Sequence, residues 1–553
     1  MKPNTTPAAA PDKRLVKALR QHLQASLLPG ETPPPKGALD EAAAWLIAVA
    51  ATRAPGAALV EIESAREGRR HLRIAVINDD QPFLVDSVAA TLARLGFQID
   101  LLLHPGIALE RDAAGRLVAI PAPGKAATGA RRESLIYIET PRADARQRRE
   151  LAAALRMTLG DVHAAVADWP EMQAALRQDA AAIAPLDGEA AALLEWMAGG
   201  MLTQLGHLVR RRDGGAAERR GICRASAQEL LAPVSLERAF AWFDADPARA
   251  LLAIKSNLAA RVHRDSPLDL FLTARRDASG KAEALSIHAG LWTSAALNAR
   301  PQEVPRLRRV LAELMAELGF DPAGHNGKAL VHAFTALPND LLTAFDPACV
   351  AQLATAKMAL VDRPRPRVVM VRATLERHVF AFVWLPRDQL STEVRLQIQA
   401  MLLATPGAAL LDWSLTVEGS TLALLRFLID VRACGDLPAD SEIEARLVEL
   451  LRGWNEAVAT HLAAHEEEGR AAMLAARYAP AFPTGYRLAY GPAEAARDIL
   501  KLRTLGLAEG EGAGERAVRL YRLPGDETGA LRLKIYTVRS RLALSDAVPA
   551  LEN

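Results

Sequence analysis

Residues 71–105 read HLRIAVINDDQPFLVDSVAATLARLGFQIDLLLHP, and this stretch predicts a strand–helix–strand unit. The apolar run from Leu72 to Ile77 has the length and the branched side chains of a buried strand. A helix is predicted next, from apolar residues at helical spacing: Leu84, Val88, Leu92 and Leu95. Gly96 ends that helix, and a second strand over 97–103 follows at once.

The turn between the first strand and the helix is the best candidate site in the chain. Its polar and flanking residues are Asn78, Asp79, Asp80, Gln81, Phe83, Asp86 and Ser87. One interpretation is that Asp79 or Asp80 only caps the helix, worth about 1 kcal/mol, with Pro82 in the first turn. The other is that the turn also holds a ligand, since free N–H groups suit an α-carboxylate and an acidic side chain suits an α-ammonium. The sequence leaves both interpretations open.

The elements after this unit predict an α+β fold. Strands are expected over 116–121 and 134–140, and a helix after them is marked by Leu151, Leu155 and Leu159. The resulting order of strands and helices is typical of a split β-α-β, ferredoxin-like layout with an antiparallel sheet and helices on one face. Alternating segments near 251–255, 268–273, 284–288 and 291–293 predict a second antiparallel sheet.

Six strings in this chain resemble, in order, the amino-terminal region of the large bacterial NAD-dependent glutamate dehydrogenases. They are VINDDQPFLVDSV (76–88), GLWTSAALNARPQEVP (290–305), HNGKALVHAF (325–334), WLPRDQLSTEVR (384–395), RYAPAFPTGYR (477–487) and GALRLKIY (529–536). The resemblance covers about residues 40–553. It implies several ACT domains, which are amino-acid-sensing modules of ferredoxin-like layout, and a PAS-like sheet domain with helical connectors.

The resemblance also implies a function. The full-length enzyme oxidatively deaminates L-glutamate to 2-oxoglutarate with NAD, and this chain is expected to be its regulatory and assembly segment. The catalytic half is expected beyond residue 553, so we expect no catalytic residue, no NAD site and no activity in this chain alone. Its expected partners are that catalytic half or further copies of itself, and a small amino-acid effector. The alternative is a stand-alone amino-acid-sensing or scaffold protein.

Six segments are expected along the chain. They are N-terminal helices (1–60), a first ACT-like domain (61–175), a PAS-like domain (185–345), a second ACT-like domain (363–435), a helical connector (436–505) and the start of a third ACT-like domain (515–553). The third domain is expected to be incomplete, because a βαββαβ module needs more strands than this segment contains.

A second polar group, in the string IKSNLAARVHRDS (254–266), matches a family motif. Its candidate residues are Lys255, Asn257 and His263. Structural hydrogen bonding is favoured over a ligand role. The reason is that Ser266-Pro267 stands where relatives usually have an aromatic residue, and Leu297 where they often have tyrosine.

Composition excludes several classes of function. The 67 basic and 65 acidic residues leave no basic excess for nucleic acid. The arginine-rich stretch at 210–220 is expected to be a solvated loop. The N-terminus lacks a signal-peptide apolar region, and the longest apolar run, 42–51, is too short to span a bilayer. Three cysteines far apart, without metal-ligand spacing, indicate a reducing compartment, so the cytoplasm is expected.

Two motifs suggest chemistry that their context does not support. GEGAGE (510–515) follows a polar stretch and precedes a predicted strand, whereas a dinucleotide loop follows a buried strand and opens a helix. His461 and His465 lie four residues apart but lack a third ligand, so a solvated helix end is favoured and no metal is expected.

Overall fold

The structure is a computed structural model. It describes residues 12–27, 30, 34–35, 37–65, 71–123, 131–361, 363–418, 421–434, 437–451, 453–483, 486–487, 490–506, 516–522 and 531–537. The protein belongs to the α+β class, as predicted, with several antiparallel sheets and intervening helices. None of the described helices is both long and apolar enough to cross a membrane.

The first sheet contains the strand–helix–strand unit of residues 71–105. Two N-terminal helices precede it, α1 (Lys13–Ala25) and α2 (Ala38–Ala50). Its elements are β1 (Leu59–Ser64), β2 (Leu72–Asp79), α3 (Leu84–Arg94), β3 (Leu101–Leu103), β4 (Gly106–Arg111), β5 (Leu117–Ala119) and β6 (Arg131–Thr140). The strand order is β1-β2-β6-β4-β5, with β3 also paired to β6. The ferredoxin-like layout is therefore present, with β1 added at one edge.

Both faces of the first sheet are covered by helices, and the expected single helical face is wrong. Ile74 and Val76 of β2 pack in one core with α3, whereas Ala75 and Ile77 pack in another with α1 and α2. All four side chains are fully buried. The physical reason is that successive residues of β2, from Ile74 to Ile77, are apolar. Both faces of the strand therefore have to be covered from water.

The second sheet has five strands in the order β8-β7-β11-β10-β9, consistent with the expected PAS-like antiparallel sheet. Three helices come first, α4 (Ala145–Ala167), α5 (Trp169–Ile183) and α6 (Gly188–Trp196). The sheet's elements are β7 (Leu202–Arg211), β8 (Ala216–Gly221), α7 (Pro233–Ala245), β9 (Leu252–Ala259), β10 (Pro267–Arg276) and β11 (Ala282–Trp292).

Three predictions for this region are wrong. The expected loop at 210–220 is the turn and second strand of the β7–β8 hairpin. The segment EAAALLEWMAGGMLTQLG (189–206) predicts a helix near 188–203, but that helix ends earlier, because Gly200 takes φ +102° and the chain turns directly into β7. The two short strands expected near 284–293 are one strand, β11.

A layer made of α3 and α4 serves both the first and the second sheet. Apolar residues of this layer, such as Leu92 and Leu155, lie in one continuous core with Val76 of the first sheet and Leu208 and Ile287 of the second. Helix α4 contacts β1 on one side and β7 and β8 on the other. The two sheets therefore share a core instead of each completing its own.

A third sheet follows a helical region. The helices are α8 (Ser294–Leu297), α9 (Leu307–Glu317), α10 (His325–Thr335), α11 (Asn339–Ala344) and α12 (Pro347–Met358). The strands are β12 (Arg367–Arg372), β13 (His378–Pro386), β14 (Ala409–Glu418) and β15 (Leu422–Asp430), in the order β12-β13-β15-β14. This order repeats that of the first sheet, with an added N-terminal edge strand. Phe382 and Leu424 of this sheet share a core with Phe334 and Leu353 of the helices.

Residues 385–402 and 438–553 form a separate compact unit. Its described elements are α13 (Thr392–Leu402), α14 (Asp440–Leu451), α15 (Trp454–Leu462), α16 (Glu468–Tyr478), α17 (Pro492–Gly506), β16 (Arg516–Tyr521) and β17 (Arg532–Thr537). The last two form an antiparallel hairpin, as the first two strands of the first sheet do. The sequence also predicts that a helix starts over 542–553. That segment and GEGAGE (510–515) lie outside the described residues.

A buried ion cluster stabilises the end of the first sheet. The Glu133 carboxylate, 2% exposed, accepts hydrogen bonds from Arg111 at 2.7 and 3.0 Å and lies 3.2 Å from Arg53. Arg53 is also 2% exposed. A buried carboxylate is tolerated only when its partners replace the water it lost.

Glu133→Gln should therefore destabilise this part of the protein by about 3 kcal/mol, because two guanidinium groups lose their shared anion. The matched control is Glu150→Gln, which removes an exposed carboxylate paired with Arg146 at 2.8 Å and should cost less than about 1 kcal/mol. Urea unfolding followed by tryptophan fluorescence measures both. Equal losses in the two variants would contradict a structural role for the buried cluster.

Candidate functional site

The polar turn after β2 does not cap helix α3, so the capping interpretation is wrong. Strand β2 continues through Asp79, which pairs with Glu133 of β6. The N-cap position belongs to Phe83, which takes φ +70° and offers no side-chain hydrogen bond to the helix. Pro82 consequently lies in the connection between β2 and α3, before the helix begins at Leu84.

Both carboxylates of the turn already have guanidinium partners. Asp79 lies 2.8 Å from Arg53, at ion-pair distance without hydrogen-bond alignment. Asp80 accepts a hydrogen bond from Arg132 Nε at 2.9 Å. These arginines, one just after α2 and the other on β6, fix the turn against its own domain.

Two side-chain amide nitrogens of the turn are buried without a hydrogen-bond partner among the described residues. They are Nδ2 of Asn78, which is 3% exposed, and Nε2 of Gln81, which is half-buried as a residue. Both atoms are donors. The donors of this turn, and not its carboxylates, are therefore the groups left for an additional acceptor.

His263 is brought against the turn, although it is 176 residues from Ser87 in sequence. The Ser87 hydroxyl donates to the Phe83 carbonyl at 2.5 Å and accepts from the His263 backbone N–H at 2.8 Å. The His263 ring lies 5.5 Å from the Phe83 ring, and its Nδ1 is 3.2 Å from Asp86. His263 and Phe83 both have positive φ, at +72° and +70°. Two strained residues therefore meet at one junction between the first sheet and the β9–β10 loop.

Lys255 lies elsewhere, in a buried cluster with two carboxylates. Its Nζ is 2.6 Å from Asp269 and 2.7 Å from Asp340. Burial favours the neutral amine, but the two carboxylates outweigh it and raise the pKa of Lys255 above its usual value. Burial raises the pKa of Asp269 to about 6. One lysine thus neutralises only part of the negative charge around it.

Asn257 occupies a third position. Its side chain donates to Asp430 at 2.8 Å and accepts from Arg377, while His378 Nε2 lies 3.1 Å from the same oxygen. The candidates Lys255, Asn257 and His263 thus point to three different sets of partners. Each set joins β9 or its loop to another element, which agrees with the structural role favoured for them.

A cavity of about 500 Å³ opens beside the Lys255 cluster. Its walls come from β9, the β9–β10 loop, the start of α11 with the segment before it, and residues of β13, β14 and β15. The positions at which the sequence departs from its relatives, Ser266, Pro267 and Leu297, all line it. This cavity contains charged groups that no sequence motif indicated, including Arg426 and Asp412.

Comparison with known proteins gives a consistent result along the chain. Five family models match, described as glutamate dehydrogenase ACT1 domain (37–155), helical motif 1 (304–363), ACT2 domain (367–455), helical motif 2 (461–505) and ACT3 domain (515–553). An NAD-specific glutamate dehydrogenase from Halomonas elongata is 30% identical over 509 residues, which is 87% of this chain and 31% of the relative.

The chain belongs to the large NAD-specific glutamate dehydrogenase family. Relatives of the same name from Pseudomonas aeruginosa and Mycobacterium tuberculosis are 28% and 25% identical, each across 87% of this chain. The chain spans about a third of the length of these relatives, and it corresponds to the family's N-terminal-type region.

The family's ACT1 domain includes the helix that covers the second face of the first sheet. Its match begins at residue 37, one residue before α2. The match also contains the polar turn and β6. In this glutamate dehydrogenase-family chain the ACT1 domain is therefore a sheet between two helical layers.

A buried polar cluster in the second sheet was missed by the sequence analysis. His207 and His288 lie opposite each other on β7 and β11, with rings stacked at 4.5 Å and 10°. His288 Nε2 is 2.8 Å from Asp179 of α5, and its Nδ1 is 3.0 Å from Gln204. In the sequence, the signal for this cluster is that His207 and His288 are polar residues within otherwise apolar strands.

This cluster has ligand types that suit a metal, but its geometry does not fit one. Coordination uses the in-plane lone pair of an imidazole nitrogen. Two stacked, nearly parallel rings cannot both direct such a lone pair at one ion. Both nitrogens of His288 also have protein partners. We interpret the cluster as hydrogen bonding that orders β7, β11 and α5.

Ser87→Ala tests the junction between the turn and the β9–β10 loop. It should cost about 1–3 kcal/mol, because the His263 N–H loses its acceptor inside the protein. Hydrogen exchange of the His263 amide should accelerate. Ser26→Ala is the control, since Ser26 donates only to the nearby Leu23 carbonyl at a helix end. Unchanged exchange at His263 in Ser87→Ala would contradict the bridging role.

Acid should destabilise the fold through His207. Burial lowers the pKa of His207 to about 3, from 6.5. Below pH 6.5 His207 is therefore protonated in the unfolded chain but stays neutral in the folded chain. The free energy of unfolding consequently falls as the pH falls towards 3. At pH 5 the loss is about 2 kcal/mol. His207→Gln should flatten the pH dependence of urea unfolding between pH 7 and 4, whereas His325→Gln at an exposed site should not. An unchanged slope in His207→Gln would refute this assignment.

Proposed function

We propose that the chain is the regulatory and assembly segment of a cytoplasmic NAD-dependent glutamate dehydrogenase. In the full-length enzyme, L-glutamate is oxidatively deaminated to 2-oxoglutarate. The observation that carries the proposal is the set of three ACT domains and two helical motifs in one chain, each from a glutamate dehydrogenase model. The partners we propose are the catalytic portion of such an enzyme, or further copies of this chain.

The sheets that the structure describes do not fit NAD. Dinucleotide-binding domains use a parallel sheet with a glycine-rich turn that opens a helix. The strand registers defined among the described residues are antiparallel, from the first sheet to the β16–β17 hairpin. We therefore assign no step of the dehydrogenase reaction to these residues.

The fold supports a regulatory role through its connections. The β9–β10 loop contacts the polar turn of the ACT1 domain through His263, and its next residues line the cavity beside the third sheet. The β9–β10 loop therefore connects the polar turn to the cavity, so that a conformational change at the turn can be transmitted to the cavity through this loop. Such connected, strained contacts are where a bound ligand can shift a conformational equilibrium.

A stand-alone amino-acid-sensing protein is the second candidate. The ACT domains themselves favour it, because they need no dehydrogenase to bind a ligand. The two candidate functions differ in whether the chain associates with a protein that oxidises glutamate.

The test compares the tagged chain purified from two hosts. From a heterologous host without NAD-linked glutamate dehydrogenase, we expect no glutamate-dependent formation of NADH. From its source organism, we expect the purified material to form NADH from glutamate and NAD. Activity from both hosts would show that the chain is itself catalytic, and activity from neither would favour the stand-alone sensor.

A further inference from the structure

Two carboxylates share one ammonium group in the Lys255 cluster. Asp269 lies directly opposite Lys255 in the register of β10 and β9, whereas Asp340 comes from α11. The Lys255 Nζ is 2.6 Å from Asp269 and 2.7 Å from Asp340, and the three side chains are between 8% and 14% exposed. The sheet register and the helix therefore hold two like charges around one cation, with little water to screen them.

The first of these carboxylates, Asp340, has a second cation nearby. Arg426 of β15 faces both Asp340 and Asp412 of β14. Burial opposes the ionisation of Asp340, but the charges of Lys255 and Arg426 outweigh it and lower the pKa of this carboxyl. Asp340 therefore stays ionised when the pH falls.

The second carboxylate, Asp269, is compensated less well. On β11 its cross-strand partner is Gly290, which has no side chain to offer. Lys255 and Arg264 favour the charged form of Asp269. Burial and the charge of Asp340 outweigh these two cations and raise the pKa of Asp269. Of the two carboxylates, Asp269 is therefore the one that takes up a proton first.

The cluster lies between two parts of the fold and beside the cavity. Lys255 and Asp269 belong to the second sheet, whereas Asp340 belongs to α11. Leu341 of α11 lies in one core with Phe382 of the third sheet. Lys255 and Asp340 both line the cavity of about 500 Å³, so solvent protons have a route to the cluster. A change of charge here therefore acts on the contact between the second sheet and α11.

We propose that the Lys255 cluster is a pH-sensitive contact between the second sheet and α11. As the pH falls, Asp269 takes up a proton from the cavity, and the three side chains change from one net negative charge to none. Asp269 and Asp340 then no longer repel each other, so α11 is held more firmly. The proposal concerns this chain alone, so it can fail without the proposed function failing.

Carbon NMR of the full 553-residue chain, with carbon-13 at the side-chain carboxyl of aspartate, tests the proton site. The resonance lost in Asp269→Asn identifies Asp269, and we expect it to titrate near pH 6, because its pKa is raised to about 6. The control is the exposed Asp277, whose pKa is lowered by a hydrogen bond from Ser279. Titration of Asp269 within about one pH unit of the ordinary aspartate value would overturn the proposal.

Asp340→Asn tests whether the two carboxylates compete for Lys255. With the second carboxylate neutral, the titration midpoint of Asp269 should fall by at least about one pH unit. Asp265→Asn is the matched control, because Asp265 is an exposed carboxylate that lines the same cavity. It should leave the midpoint unchanged. An unchanged midpoint in Asp340→Asn would show that the carboxylates are not coupled, and that result would also overturn the proposal.

Hydrogen exchange of the α11 amides tests the effect on the contact. After division by the intrinsic rate of each amide, exchange should be at least about threefold slower at pH 5.5 than at pH 7.5. Asp269→Asn resembles the protonated acid and should exchange slowly at both pH values. The readout is local because protonation of His207 acts on stability in the opposite direction. A pH dependence that persists in Asp269→Asn would contradict the proposal.

Discussion

The strand β2 must be hidden from water on both faces, and much of the fold follows from this constraint. Its successive residues from Ile74 to Ile77 are all buried, without alternation between the two faces. Helices α1 and α2 cover one face, and the α3–α4 layer covers the other. The side of this layer that faces away from β2 is also apolar, and it packs against the second sheet. The burial of β2 therefore depends on the α1–α2 layer and on the α3–α4 layer, and the second sheet covers the outer side of the α3–α4 layer.

The charged groups inside this fold are compensated by charges of opposite sign. Glu133 has two arginines, and Lys255 has two carboxylates. Arg426 is half-buried, and the carboxylates of Asp340 and Asp412 favour its charged form.

The sequence predicted what depends on local patterns. β2 and α3 follow from an apolar run and from leucines at helical spacing, and both were confirmed. The cap on α3 was predicted wrongly, because the strand continues to Asp79 only through its partner Glu133, 54 residues away in the register of β6. The β7–β8 hairpin was missed, because its apolar start continues the pattern of the preceding helix.

The site was less predictable than the fold. His263 and Ser87 were both candidates, but nothing local indicated that they are in contact. His207, His288 and Arg426 lie singly within apolar strands, and only the sheet registers and packing bring each beside its neighbours. Polar groups that meet through tertiary packing leave no spacing signal in one sequence.

Native-state hydrogen exchange tests the central claim that the first and second sheets share one core. Amides of Val76 in β2 and of Leu208 and Ile287 in β7 and β11 are the reporters, since all three side chains lie in the shared cluster. With a shared core, we expect these amides to open together, with free energies of opening that agree within about 1 kcal/mol. Opening of β2 at a free energy several kcal/mol below that of β11 would show that the two sheets unfold separately and do not share one core.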